Sequence, residues 1–245
     1  MSCQRRLINL KWRKIIMSPE TFTSLSFPKE KKLSPDYFLT HRPSFDLDGV
    51  LINSIEYITG VFNKEHGTNF IATDMREFKI VKKWLLQMGY SKSYADCKEL
   101  EYWYGDKLLE SPFNSGAIEH LCKLDALGVP ITVISSRPKG LRESTIELLV
   151  KNTPILRENI FIQNGSEMPG NIWKAFVVGK TGVGIHFEDN PSHSEAVLDY
   201  TEADVCLMAN LIDLDFNPNY SERLFRIKGA SPTEMPNFTE LNKVF

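Results

Sequence analysis

The chain has 245 residues, of which 42% are hydrophobic, 24% charged and 11% aromatic. That balance excludes disorder throughout, and the absence of any run of about 18 apolar residues excludes a membrane span. The net charge of -2 is unevenly spread: residues 1–40 carry eight Lys/Arg against three acids, net +5, which leaves -7 on the rest. An acidic body is a poor surface for long nucleic acids, whose phosphates are bound by clustered Lys/Arg, but it suits a divalent cation.

Residues 1–42 are expected to be a basic leader and linker. The apolar stretch from Leu7 to Ile16 is interrupted by Lys11, Arg13 and Lys14, so a secretory signal is not expected and the location read from the sequence is cytoplasmic. Residues 4–16 allow either a floppy leader or a short basic amphipathic helix. Residues 18–44, rich in Ser, Thr, Pro and Lys, suit a linker or extended arm. Cys3, Cys97, Cys122 and Cys206 are scattered without a CxxC pair, which excludes zinc spacing and fits thiols in a reducing compartment.

Residues 52–112 are helical in pattern, with Ile55, Ile58, Val61 and Phe62 at helical spacing, then Trp84, Leu85 and Met88, and an aromatic-rich stretch up to Ser111-Pro112. From Gly116 the pattern alternates. Helices are expected at 115–127, 141–151, 171–179 and 192–201. Strands are expected at 130–135, 159–162, 184–188 and 204–208. Strands separated by helices of this length build right-handed βαβ units, hence an α/β protein with a three-layer, Rossmann-like parallel sheet. Residues 210–245 form a C-terminal extension that the pattern does not place.

Ligands of open parallel sheets bind beyond the carboxyl ends of the strands. Those ends carry Asp46 and Asp48, then Ser135, Ser136 and Arg137, then Asn164 and Gly165, then Glu188, Asp189 and Asn190. In Phe45-Asp46-Leu47-Asp48-Gly49, residues two apart share a face, so both carboxylates enter one crevice. Their mutual repulsion calls for a cation, and magnesium takes one or two carboxylates plus a substrate phosphate. With a hydroxyl from Ser135 and an ammonium from Lys174, these are the parts of an in-line phosphoryl transfer. Arg137 suits a phosphate or an internal ion pair, and Ser136 lies beside it. His186, inside an apolar strand, suits a hydrogen-bonded core residue. Gly179-Lys180-Thr181 is not a phosphate-binding loop, since the position five residues earlier is Lys174 and the segment between is helical.

Four ordered segments, FDLDGVL at 45–51, ITVISSR at 131–137, Lys174, and IHFEDN at 185–190, resemble the haloacid dehalogenase (HAD) superfamily over about residues 43–209. The helical stretch after the first motif and the SSRP turn look most like its 5'(3')-deoxyribonucleotidase-like branch. The resemblance implies a core of residues 43–51 and 113–209 with a helical cap at 52–112. It implies Asp46 as nucleophile and Asp48 as proton donor and acceptor. Ser135 and Lys174 would hold the phosphoryl oxygens, with Ser136 and Arg137 nearby on the substrate. Magnesium would lie on Asp46, the Asp48 carbonyl and Asp189, with Glu188 auxiliary. The implied activity is a Mg2+-dependent phosphatase acting on a small phosphorylated metabolite such as a nucleoside monophosphate. The alternative is a catalytically idle relative that binds a ligand or a protein. Two positions depart from the pattern. Pro43 interrupts the approach to the first motif, where a central strand needs its donors. Lys180 competes with Lys174, which is preferred because it lies nearer the crevice end of its helix.

Overall fold

The computed structural model describes residues 33–72, 79–165, 168–208, 222–227 and 237–242. The leader at 4–16 lies outside these residues, as does most of the extension after 208.

Six strands, β1 (Pro43–Phe45), β2 (Thr132–Ser135), β3 (Ile160–Ile162), β4 (Ile185–Glu188), β5 (Asp204–Met208) and β6 (Leu224–Ile227), form one sheet in the order β3-β2-β1-β4-β5-β6. Every pairing is parallel. β1 is three residues long, with Pro43 at its first position, where a missing N–H disturbs the ladder least. Arg42 supplies the adjoining acceptor, its carbonyl taking the Gly184 N–H at 2.8 Å.

Alternate strand residues face opposite layers. Phe45, Val133, Ile160, Ile162, Ile185, Phe187, Cys206 and Met208 pack with α5 (Ala117–Ala126) and α6 (Arg142–Asn152). Ile134 and Val205 pack with α7 (Gly170–Thr181) and α8 (Pro191–Tyr200) on the other face. The chain changes face between β3 and β4, so β1 and β4 flank the topological switch point, where open sheets of this kind place their ligands.

Two segments differ from expectation. Residues 35–40, inside the expected linker, form helix α1 (Pro35–Thr40). Ser34 accepts the Tyr37 N–H as N-cap and Pro35 opens the first turn, a standard helix start. The helix stays because Phe38 is fully buried against Phe187 and His120, and the Tyr37 hydroxyl donates to Asp204. The extension contributes β6, paired to β5, with Arg223 donating to the carbonyls of Leu198, Thr201 and Ala203. It also contributes α9 (Thr239–Asn242), which seats Phe238 beside Phe45 and His120.

Between β1 and β2 lie α2 (Ser54–His66), α3 (Ile80–Gln87), α4 (Lys92–Tyr104) and a 3-10 turn at Asp106–Glu110. They share a separate apolar cluster that includes Ile58, Phe62, Trp84, Leu85 and Tyr102. The chain enters and leaves this helical unit through adjacent segments, for Asn53 N–H donates to Pro112 and Asn114 N–H to Leu51, both at 2.8 Å. Among the described residues, no helix is long and apolar enough to cross a membrane.

Candidate active site

Asp46 follows β1 directly, and its N–H donates to the Phe187 carbonyl at 2.8 Å. By strand periodicity it shares a face with Ser44, and across the β1–β4 pairing with His186 and Glu188. That is the face covered by α7, and Lys174 reaches down from α7 to meet it. The Lys174 ammonium lies 2.6 Å from Asp46 and 2.7 Å from Glu188, with its side chain wholly buried. Lys180, in the last turn of α7, is exposed.

Glu188 is held from every side. Its Oε1 accepts the Asn190 N–H at 3.0 Å and lies 3.6 Å from His193 Nδ1, while its Oε2 also meets His186 Nε2 at 3.2 Å. His186 is in turn anchored by the Ser44 hydroxyl at 2.9 Å. His186 is therefore the hydrogen-bonded core residue expected from its strand. His193, in the first turn of α8, is the second imidazole beside Glu188.

The electrostatics follow from burial. Burial by itself would push Lys174 down, but Asp46 and Glu188 outweigh it and hold the ammonium above the usual lysine range. Burial would raise Glu188, yet Lys174 and the two histidines hold it well below the usual carboxylate range. Burial and the Glu188 charge push Asp46 up to about 8 despite Lys174. Burial, Glu188 and Asp46 together raise Asp189 well above its ordinary value. Three carboxyls thus share one ammonium, and two of them are left short of positive charge.

Gly49 brings Asp189 into this group. Its φ of +75° is the left-handed region glycine favours, and a Cβ there would collide with the Asp189 carboxylate. The donor set is suited to a hard divalent cation: carboxylate oxygens in negative surplus, with Asp189 pressed against a turn that has no side chain. Ligand atoms of Asp46, Glu188 and His193 also lie within 4.8 Å of one another. Lys174 meets two of that trio, Asp46 and Glu188, and Asp189 follows Glu188 directly in the chain.

Asp48 does not join them through its side chain. Its two carboxylate oxygens accept from Arg137, Oδ2 from Nε at 2.8 Å and Oδ1 from Nη2 at 2.7 Å. Ser135 is buried at the end of β2, where its hydroxyl accepts the Arg137 N–H at 3.2 Å. Ser136 is half-buried and sits against Gly170 at the start of α7, near Gln163 and His193. The structure therefore groups Asp46, Lys174, Glu188 and Asp189 at the switch point and places Asp48 with Arg137 beside them.

No protein-family model matches the sequence, and no curated protein matches it. Solved structures do match. A phosphatase candidate from Clostridium difficile is 16% identical, with 82% of this chain and 96% of that one covered, at a TM-score of 0.53. A HAD family hydrolase from Deinococcus radiodurans, solved with bound phosphate and sodium, is 18% identical over 76% and 90% at 0.48. A phosphoglycolate phosphatase candidate from Lactobacillus plantarum is 14% identical over 84% and 99% at 0.49. The chain shares its α/β fold with the Clostridium difficile structure. At these identities the likeness is one of fold.

Proposed function

We propose that this chain is a Mg2+-dependent phosphoric monoester hydrolase that acts on a small phosphorylated metabolite. The observation that carries the reading is the buried Lys174 ammonium against Asp46, at the switch point beside Asp189. Asp46 and Asp189 would hold magnesium, joined by the Asp48 carbonyl as the family resemblance implies. The ion would neutralise the surplus carboxylate charge and the charge on the phosphoryl oxygens.

The chain's own groups carry the rest. An Asp46 oxygen attacks phosphorus and the bond to the leaving oxygen breaks, giving an aspartyl-phosphate. Asp48 protonates the departing oxygen, then takes a proton from the water that attacks the phosphorus. Inorganic phosphate leaves and Asp46 is restored. Lys174 offsets charge on Asp46 and the transferred group, Ser135 donates to a phosphoryl oxygen, and Ser136 lines the same edge. The helical unit at 52–112 excludes water from the first step.

A nucleoside monophosphate is the finer reading, and it rests on the sequence resemblance. Trp84 and Tyr102 are buried in the helical unit's own cluster and Trp103 packs against it, so Tyr90, Tyr94 and Tyr104, all exposed, keep ring surface to stack on a base. The test is phosphate release from a panel of monoesters, mononucleotides included, with and without Mg2+. Turnover that needs the ion and vanishes in Asp46→Asn is expected. No turnover across the panel, with parent and variant alike, overturns the proposal.

A further inference from the structure

We infer that Arg137 is a positioning residue that aims Asp48 rather than a residue that binds substrate; the inference rests on the proton-transfer role proposed for Asp48. The guanidinium has five N–H donors in a fixed plane. Nε and Nη2 take the two Asp48 oxygens as a fork. Nη2 also points to the Leu108 carbonyl at 3.4 Å, and Nη1 to the Thr145 hydroxyl at 3.3 Å. Four donor contacts are thus committed inside the protein, and the side chain is only 1% exposed, so little of it is left to meet a ligand.

The anchors of this fork lie on three separate parts of the chain. Thr145, fully buried, is on α6. Leu108 is on the 3-10 turn by which the helical unit returns to the sheet. The Arg137 main chain is tied to the end of β2 through Ser135. Asp48, by contrast, stands on a loop past β1 with its side chain about a quarter exposed, and a free Asp rotates readily about two bonds. A bidentate guanidinium removes that freedom and fixes the plane of the carboxylate beside the crevice. Lysine, a point charge, cannot hold the carboxylate plane.

Protonation of the leaving oxygen matters for an alkyl phosphate, whose leaving group is a strong base. It matters little for p-nitrophenyl phosphate, whose leaving group departs as a stable anion. The value of kcat/KM covers steps through phosphoryl transfer to Asp46, so the later water step drops out of it. A residue that acts through Asp48 therefore changes the ratio of kcat/KM between the two substrates, whereas a binding or purely structural residue lowers both alike.

The experiment compares the parent with Arg137→Gln and Arg137→Lys, each also made in an Asp48→Asn background, with rates per folded molecule from thermal melts. Arg137→Gln is expected to lower kcat/KM about 10²-fold on an alkyl phosphate and only a few-fold on p-nitrophenyl phosphate. Arg137→Lys should fall between, and neither substitution should have a further effect in Asp48→Asn. Equal losses on both substrates, or a loss that persists in Asp48→Asn, overturn the inference while the hydrolase reading stands. No turnover by the parent on either substrate overturns both.

Discussion

Replacing Lys174 with methionine tests the charge arrangement most directly. Methionine keeps the length of the stem and removes the ammonium. The side chain is wholly buried and meets two carboxylates at 2.6 and 2.7 Å, themselves 8% and 0% exposed. Removing one partner of a buried ion pair leaves the other charge uncompensated, at a cost of roughly 3–5 kcal/mol. That is a large share of a total stability of about 5–15 kcal/mol. For a chain of this size it corresponds to a melting temperature lower by roughly 6–20 °C. The assay is urea denaturation followed by far-UV circular dichroism at neutral pH without divalent cations. The double variant Lys174→Met/Glu188→Gln removes one charge of each sign, and Asp46, already pushed up to about 8, can take a proton. The double variant should therefore be more stable than Lys174→Met alone, with a coupling of about 1–3 kcal/mol. If Lys174→Met matches the parent, or the double variant is the less stable, the ammonium is not what holds these carboxylates together.

Two further outcomes follow from the same structure. Gly49→Ala places a side chain at φ +75° and against Asp189. It should cost about 1–2 kcal/mol in backbone strain and raise the Mg2+ concentration for half-maximal turnover at least about tenfold; an unchanged Mg2+ titration would show that Asp189 is not placed by this turn. His120 is buried among Phe38, Phe45 and Phe238, and burial holds its pKa down to about 4 although Asn242 bonds its Nδ1. A histidine depressed in the folded state binds fewer protons there than in the unfolded state, so its contribution is intact above about pH 6.5 and is lost as pH falls toward 4. Between pH 7.5 and 4 the parent should lose about 3 kcal/mol more than His120→Phe in urea titrations. Parallel pH curves would mean that the imidazole titrates freely in the fold.

The sheet was legible because it is local. Runs such as TVIS and DVCLM are mostly apolar over four or five residues, and amphipathic helices lie between the strands. Period and punctuation are enough to mark such elements, and all four strands expected after Gly116 are present. The strand-end rule marked Asp46 and Asp48, Ser135 to Arg137, Asn164 and Gly165, and Glu188 to Asn190, and of these the folded chain gathers Asp46, Glu188 and Asp189 about Lys174. Lys174 was separable from Lys180 because a helix of known length has a near end and a far end. The short β1 was foreshadowed by Pro43. Helix α1 was missed because its six residues hold too few turns to show a period, although Ser34-Pro35-Asp36 is a start signal. β6 was missed because LFRI is a short run at the sheet's edge.

What tertiary structure decided is which charges meet. Period and residue chemistry alone specify a parallel α/β sheet, acidic strand ends and the residue types beside them. The sequence allowed Arg137 either a phosphate or an internal partner, and only the folded chain puts its fork on Asp48, 89 residues away. It offered Glu188 as auxiliary, and only the pairing of β1 with β4 puts it across Lys174 from Asp46. Backbone periodicity is a property of neighbours and can be read in order. The partner of a buried charge is set by chain closure and by the cost of leaving that charge alone in a dry interior.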